Sequence, residues 1–245
     1  MRTNLIRKGL LAALGVTAVC AMPMASAQYV TVGGNITLGN GPGAGPGGEF
    51  IATVLSGGSG SFNTFCLEYN EYFSYGQTLR VQNISLGAVN GGVGVGAGGT
   101  APANGQPGFD PISKQTAWLY TQFRAGSLSG YGGSNHASDA NALQNAIWYL
   151  ENEITSLGSG ITTAERDRAQ SWINSANTAV AAGWSNNNVR VLNLMRQDAQ
   201  GNFTVRAQDQ LYITPVPEPE TYMMLLAGLG LMGFVARRRR TGLVG

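Results

Sequence analysis

The segment "FCLEY", Phe65 to Tyr69, carries the only cysteine between residues 28 and 214, and His136 is the only histidine in the chain. A thiolate is the most reactive nucleophile among the side chains, so Cys66 is where chemistry would start. A single thiol cannot form an internal disulfide. It can be a buried inert residue, half of an intermolecular disulfide, a nucleophile, or a thiol chemically capped from within the chain. A Cys-His hydrolase would require Cys66 and His136 to meet under a third, orienting group. His136 sits in the Gly/Ser/Asn-rich "GYGGSNHASD" with no such group indicated, so no enzyme is expected. No metal-ligand cluster, P-loop or dinucleotide fingerprint is visible, and neither cofactor nor metal is expected.

Both ends of the chain read as address labels. Arg2, Arg7 and Lys8 precede an apolar run from Gly9 to Val19, and Ala25-Ser26-Ala27 is an A-x-A cleavage site, so residues 1–27 are expected to be a signal peptide for signal peptidase. Val19 beside Cys20 argues against acylation at that cysteine. At the other end stand Val216-Pro217-Glu218-Pro219, the 15-residue apolar run Tyr222 to Ala236, and Arg237, Arg238, Arg239 and Arg240. At ~1.5 Å per residue such a run reaches roughly 22 Å as a helix, short of the ~30 Å hydrocarbon core. Thinning of the bilayer and snorkelling side chains let a short span hold, and the arginines anchor it on the cytoplasmic side. An ordinary single-span anchor would use the two prolines only as a stiff linker.

The order of Pro-Glu-Pro, short apolar span and arginine cluster resembles the PEP-CTERM sorting signal of Gram-negative bacteria. The resemblance implies processing near Pro217 to Pro219 by an exosortase, an inner-membrane intermediate held by the C-terminal helix, and delivery to the cell surface or exopolysaccharide matrix. Residues 28–236 hold eight basic against thirteen acidic side chains, a net charge of −5. The basic character of the whole chain therefore comes from its ends, and no nucleic-acid partner is expected.

The elements that must hold Cys66 read as strands first. Residues 28–38 alternate, 41–48 form a Pro/Gly loop, 49–55 and 61–69 are strands around a turn at 57–60, and 77–86 is β-like. Residues 87–108 are Gly-rich without apolar periodicity and read as a long loop. Helices follow. Asp110-Pro111 opens one running to about Phe123. Asp139 caps a second with Leu143, Ile147, Leu150 and Ile154 on one face, and a Thr162/Glu165 capping box starts a third reaching about Ala182. Residues 189–195 and 202–213 alternate as a hairpin around Asp198 to Gly201. The expected fold is a single α+β domain over residues 28–214, a β-sandwich or barrel-like sheet with an inserted helical segment. Residues 215–245 form the sorting tail.

"FCLEY" and "LQNAIWYLE", Leu143 to Glu151, together resemble the two signature segments of bacterial surface thioester (TQXA) domains. Phe65 and Cys66 match the first; Leu143, Gln144, Ile147 and Trp148 match the second, with Leu143 where that family has threonine. "AWLYTQF", Ala117 to Phe123, resembles the helix preceding the second motif. Gln115 superficially repeats that motif, but Lys114 precedes it and Trp118 comes one position early. The resemblance implies an internal Cys66–Gln144 thioester, shielded by Phe65 and Trp148, that an amine- or hydroxyl-bearing surface or matrix target opens to form a covalent attachment. The competing expectation is a passive structural protein of the biofilm matrix with an inert, buried Cys66.

Overall fold

The computed structural model describes residues 29–43, 47–89, 109–158, 160–215 and 226–232. Eight strands run in chain order: β1 (Tyr29–Asn40), β2 (Phe50–Ser59), β3 (Ser61–Thr64), β4 (Thr78–Ser85), β5 (Gly87–Val89), β6 (Phe109–Pro111), β7 (Val189–Gln197) and β8 (Phe203–Ile213). Six of them form an antiparallel sheet in the order β3-β2-β1-β4-β7-β8, while β5 and β6 pair separately. The chain leaving β3 crosses to β8, at the far edge of the sheet, and pairs with it through Cys66 and Gln210. The sheet thus curls toward closure, which relieves its edges of unpaired backbone at this corner. The α+β expectation holds, and the sheet takes the barrel-like form.

Between β6 and β7 lie α1 (Lys114–Arg124), α2 (His136–Leu150) and α3 (Thr163–Ala181), with a 3-10 turn at Gly133–Asn135. The Thr162/Glu165 capping box is present. Two expected helix starts are corrected. Asp110 and Pro111 belong to β6 because they pair with Ala88 and Gly87, and Ser113 caps α1 by accepting the Thr116 N–H. Asp139 lies inside the first turn of α2, buried, where it accepts the Gly132 N–H at 2.8 Å and pairs with Arg168 at 3.0 Å. Residues 87–89, expected as loop, are β5; residues 90–108 lie outside the described residues.

The apolar stripe expected to reach Ile154 is cut short at Leu150. Asn152 adopts φ 62°, and the N–H groups of Asn152 and Glu153 donate to the carbonyls of Tyr149 and Trp148. This is a Schellman cap with asparagine in the left-handed position that glycine usually takes. It turns the chain back, so that Glu153 is 1% exposed rather than trailing into solvent.

Two cores result. On the helix side Leu119, Tyr120, Leu143, Ile147, Trp172 and Ile173 pack against Phe65, Val191 and Leu211. Inside the curl Ile36, Leu38, Phe62, Leu79, Leu194 and Tyr212 pack together. A third, small cluster of Phe50, Cys66 and Trp148 fills the corner where β3 crosses to β8.

Candidate functional site

At that corner Leu211 donates its N–H to the Phe65 carbonyl (3.1 Å) and Leu67 donates to the Asp209 carbonyl (3.0 Å). Cys66 and Gln210 are therefore a pair whose own N–H and C=O groups point away from each other. The backbone of Cys66 faces outward, where another strand would lie, and α2 supplies a side chain instead. Gln144 accepts the Cys66 N–H on Oε1 at 3.0 Å and donates from Nε2 to the Cys66 carbonyl at 2.8 Å. A carboxamide offers one donor edge and one acceptor edge, as a peptide does, so Gln144 stands in for a neighbouring strand. Both residues are fully buried. Two residues 78 positions apart are thus in direct contact.

The sulfur has different company. Gln210 Nε2 donates to Cys66 Sγ at 3.4 Å, and Gln210 Oε1 is buried without a partner. Burial pushes the Cys66 thiol far above its ordinary range, with the Gln210 contact pulling weakly the other way. The resting thiol is therefore protonated. Trp148 shares its cluster and is 6% exposed, with Tyr69 edge-on to the indole at 4.9 Å between centroids. A Cβ at Gly47 would collide with the Trp148 ring and the Gln144 side chain, so the glycine lets the backbone at this position lie against both. Phe65, one residue along the chain, points to the opposite side and packs edge-on against Phe123 at 5.0 Å. Of the two aromatic residues expected as shields, only Trp148 lies in the sulfur's cluster. Gln115 is half-buried on α1 and donates to Asn177.

α2 is tied at both ends as well. At its start His136 Nε2 lies 2.7 Å from Glu49 Oε2, the same oxygen that accepts the Tyr131 hydroxyl at 2.6 Å, while Asn63 donates to Oε1. These residues line an open pocket of about 420 Å³ with Phe62, Phe123 and Arg124. His136 and Cys66 do not meet through any hydrogen bond; the histidine belongs to Glu49. Beyond the end of α2, Glu153 Oε2 accepts the Tyr69 N–H at 2.9 Å. Glu68, Asp110 and Glu153 gather there, with one oxygen from each within 4.8 Å of the others. Burial first, and neighbouring carboxylates second, raise Glu68; burial also raises Asp110 and Glu153.

Gln210, Glu49 and this carboxylate group were not singled out from the sequence. "AQDQLYI", Ala207 to Ile213, did carry a signal. Gln208, Asp209 and Gln210 are consecutive polar residues inside a strand, and all three are buried. A polar run that fails to alternate marks a strand covered on both faces.

The tail is the part of the chain with known counterparts. Residues 215–240 match the PEP-CTERM protein-sorting motif. The chain is an exported protein sorted by an exosortase, its processing partner, toward the cell surface. No curated protein and no solved structure matches the chain. Val216, Pro217, Glu218, Pro219, the arginines 237–240 and the expected signal peptide lie outside the described residues. Among the described residues no helix is long and apolar enough to cross a membrane; 226–232, inside the expected span, are helical.

Proposed function

We propose that this exported domain forms an internal thioester between Cys66 and Gln144 and uses it to attach covalently to an amine- or hydroxyl-bearing partner on the cell surface or in the extracellular matrix. The observation that carries the reading is the pair of hydrogen bonds from the Gln144 carboxamide to the backbone of Cys66. They hold the electrophilic carbon beside the residue whose sulfur must attack it, the preorganisation such a reaction needs. The Cys66 N–H on Oε1 also polarises the carbonyl and is aimed where negative charge develops in the tetrahedral intermediate. The sulfur bonds to the carboxamide carbon, the C–N bond breaks, and the thiol proton leaves with the nitrogen as ammonia. A partner amine then reverses the pattern, forming an amide at Gln144 and restoring the Cys66 thiol. Trp148 and Tyr69 exclude water until the partner displaces them.

A second reading has its own observation. Sγ contacts Gln210, and burial suppresses the thiolate. On that reading Gln144 is a strut that completes the hydrogen bonding of Cys66, and the domain is a passive matrix component. Incubating the full chain with methylamine separates the two. The thioester reading expects the amine on Gln144 and a new thiol at Cys66, both absent in Cys66→Ala. A wild-type chain that takes up no amine, unfolded or folded, leaves the strut.

A further inference from the structure

The geometry points to a calcium-binding site formed by Glu68, Asp110 and Glu153. Glu68 and Glu153 are 3% and 1% exposed, Asp110 is half-buried, and their oxygens lie within 4.8 Å of one another. Two oxygens bound to one Ca²⁺ at ~2.3–2.6 Å are no more than about 5 Å apart, so one ion reaches all three. The donors are all carboxylates, which suit a hard cation and not a thiophilic one.

A gathering of acids alone would be unremarkable, and the decisive observation is the accounting at Glu153. One of its oxygens accepts the Tyr69 N–H; the other, Oε1, is buried with no N–H or hydroxyl donor, and the side chain's remaining hydrogen-bonding neighbour is the Glu68 carboxyl. The charged neighbours that act on Glu68, Asp110 and Glu153 among the described residues are other carboxylates. Carboxyl groups buried together without a counter-charge either hold protons or bear a cost of several kcal/mol, and a bound cation can take the place of those protons. The fold also takes trouble to assemble the group. The Schellman cap at Asn152 folds Glu153 inward, the β3-to-β8 crossing carries Glu68 there, and the β5–β6 pairing brings Asp110. One ion would tie three segments separated by more than forty residues each. It would lie next to Tyr69 and hence beside Trp148.

The test uses the purified full chain, stripped with EDTA. Calcium at about a hundredfold its Kd should raise Tm by ~5–10 °C. Terbium should show emission sensitised through Trp148, displaced by calcium. Asp110→Asn, at the most exposed of the three positions, should keep the fold and lose both responses; Glu153→Gln should lose them too. Three results overturn the assignment. They are an unchanged Tm without terbium emission, an equal response in wild type and Asp110→Asn, or a magnesium response as large as that of calcium.

Discussion

The two ends of α2 bury acidic side chains in opposite ways. At the start Glu49 is 2% exposed and both oxygens are occupied, by Asn63, Tyr131 and His136. Past the other end Glu153 is as deeply buried and lacks an N–H or hydroxyl donor on one oxygen, with only the carboxyls of Glu68 and Asp110 gathered beside it. Between them, Gln144 satisfies Cys66 completely. Burial of a charge is thus no mark of function by itself. What distinguishes the sites is which polar atoms remain without a partner once the protein's own groups have been assigned.

The largest effect should come from the middle of the helix. Gln144→Ala leaves the Cys66 N–H and C=O buried and unpaired and opens a cavity, for a loss of ~3–5 kcal/mol in denaturant unfolding. Amine opening of a thioester should destabilise far less, because the packed side chain stays while only the cross-link is lost. A neutral Gln144→Ala would remove the anchor on which both readings depend.

The ends come next. Glu49→Ala deprives three side chains of their acceptor and should cost ~2–4 kcal/mol, with or without calcium. Glu153→Gln, at the unsatisfied end, should cost little in EDTA and abolish the calcium response instead. Equal behaviour of the two variants in urea titrations, run with and without calcium, would erase the contrast between the ends of α2.

Smaller again is Gly47→Ala, whose methyl group must displace Trp148 or Gln144. Overpacking of this kind costs ~1–3 kcal/mol, and indole fluorescence should shift as Trp148 moves. An unchanged spectrum with unchanged stability would show that the backbone at Gly47 does not press on the site.

How far the sequence foretold this arrangement depends on which interaction decided each element. The α3 start was legible because Thr162 and Glu165 bond to each other's backbone within four residues. The starts of α1 and α2 were misplaced because distant groups overrode local rules: β5 claimed Asp110 and Pro111, and Arg168 claimed Asp139. Cys66 and Gln144 were legible as a pair only through a resemblance, since nothing local joins residues 78 apart. Gln210 and the Glu68–Asp110–Glu153 group depend wholly on strand crossing and a helix cap, and no spacing in the chain announces them.

The smallest predicted effect is at Glu165, which also braces the start of α2 through Ser138 and Asn141. Burial opposes its ionisation, but hydrogen bonds from Thr162, Ser138 and Asn141 outweigh it and lower its pKa. A lowered carboxylate contributes stability above its unfolded pKa and loses it as pH falls through the folded value. Glu165→Ala should therefore cost ~1 kcal/mol near neutral pH, with the difference from wild type closing in acid. A gap that widens on acidification would reverse the sign argued here.

The most direct test of the central claim is the intact mass of the exported chain, taken without reducing agent or amine buffers. A Cys66–Gln144 thioester predicts a mass one ammonia below the sequence value, restored to the sequence value in Cys66→Ala after allowing for the substitution itself. A wild-type chain at its full sequence mass, with a Cys66 thiol that labels as soon as the protein is unfolded, would contradict it.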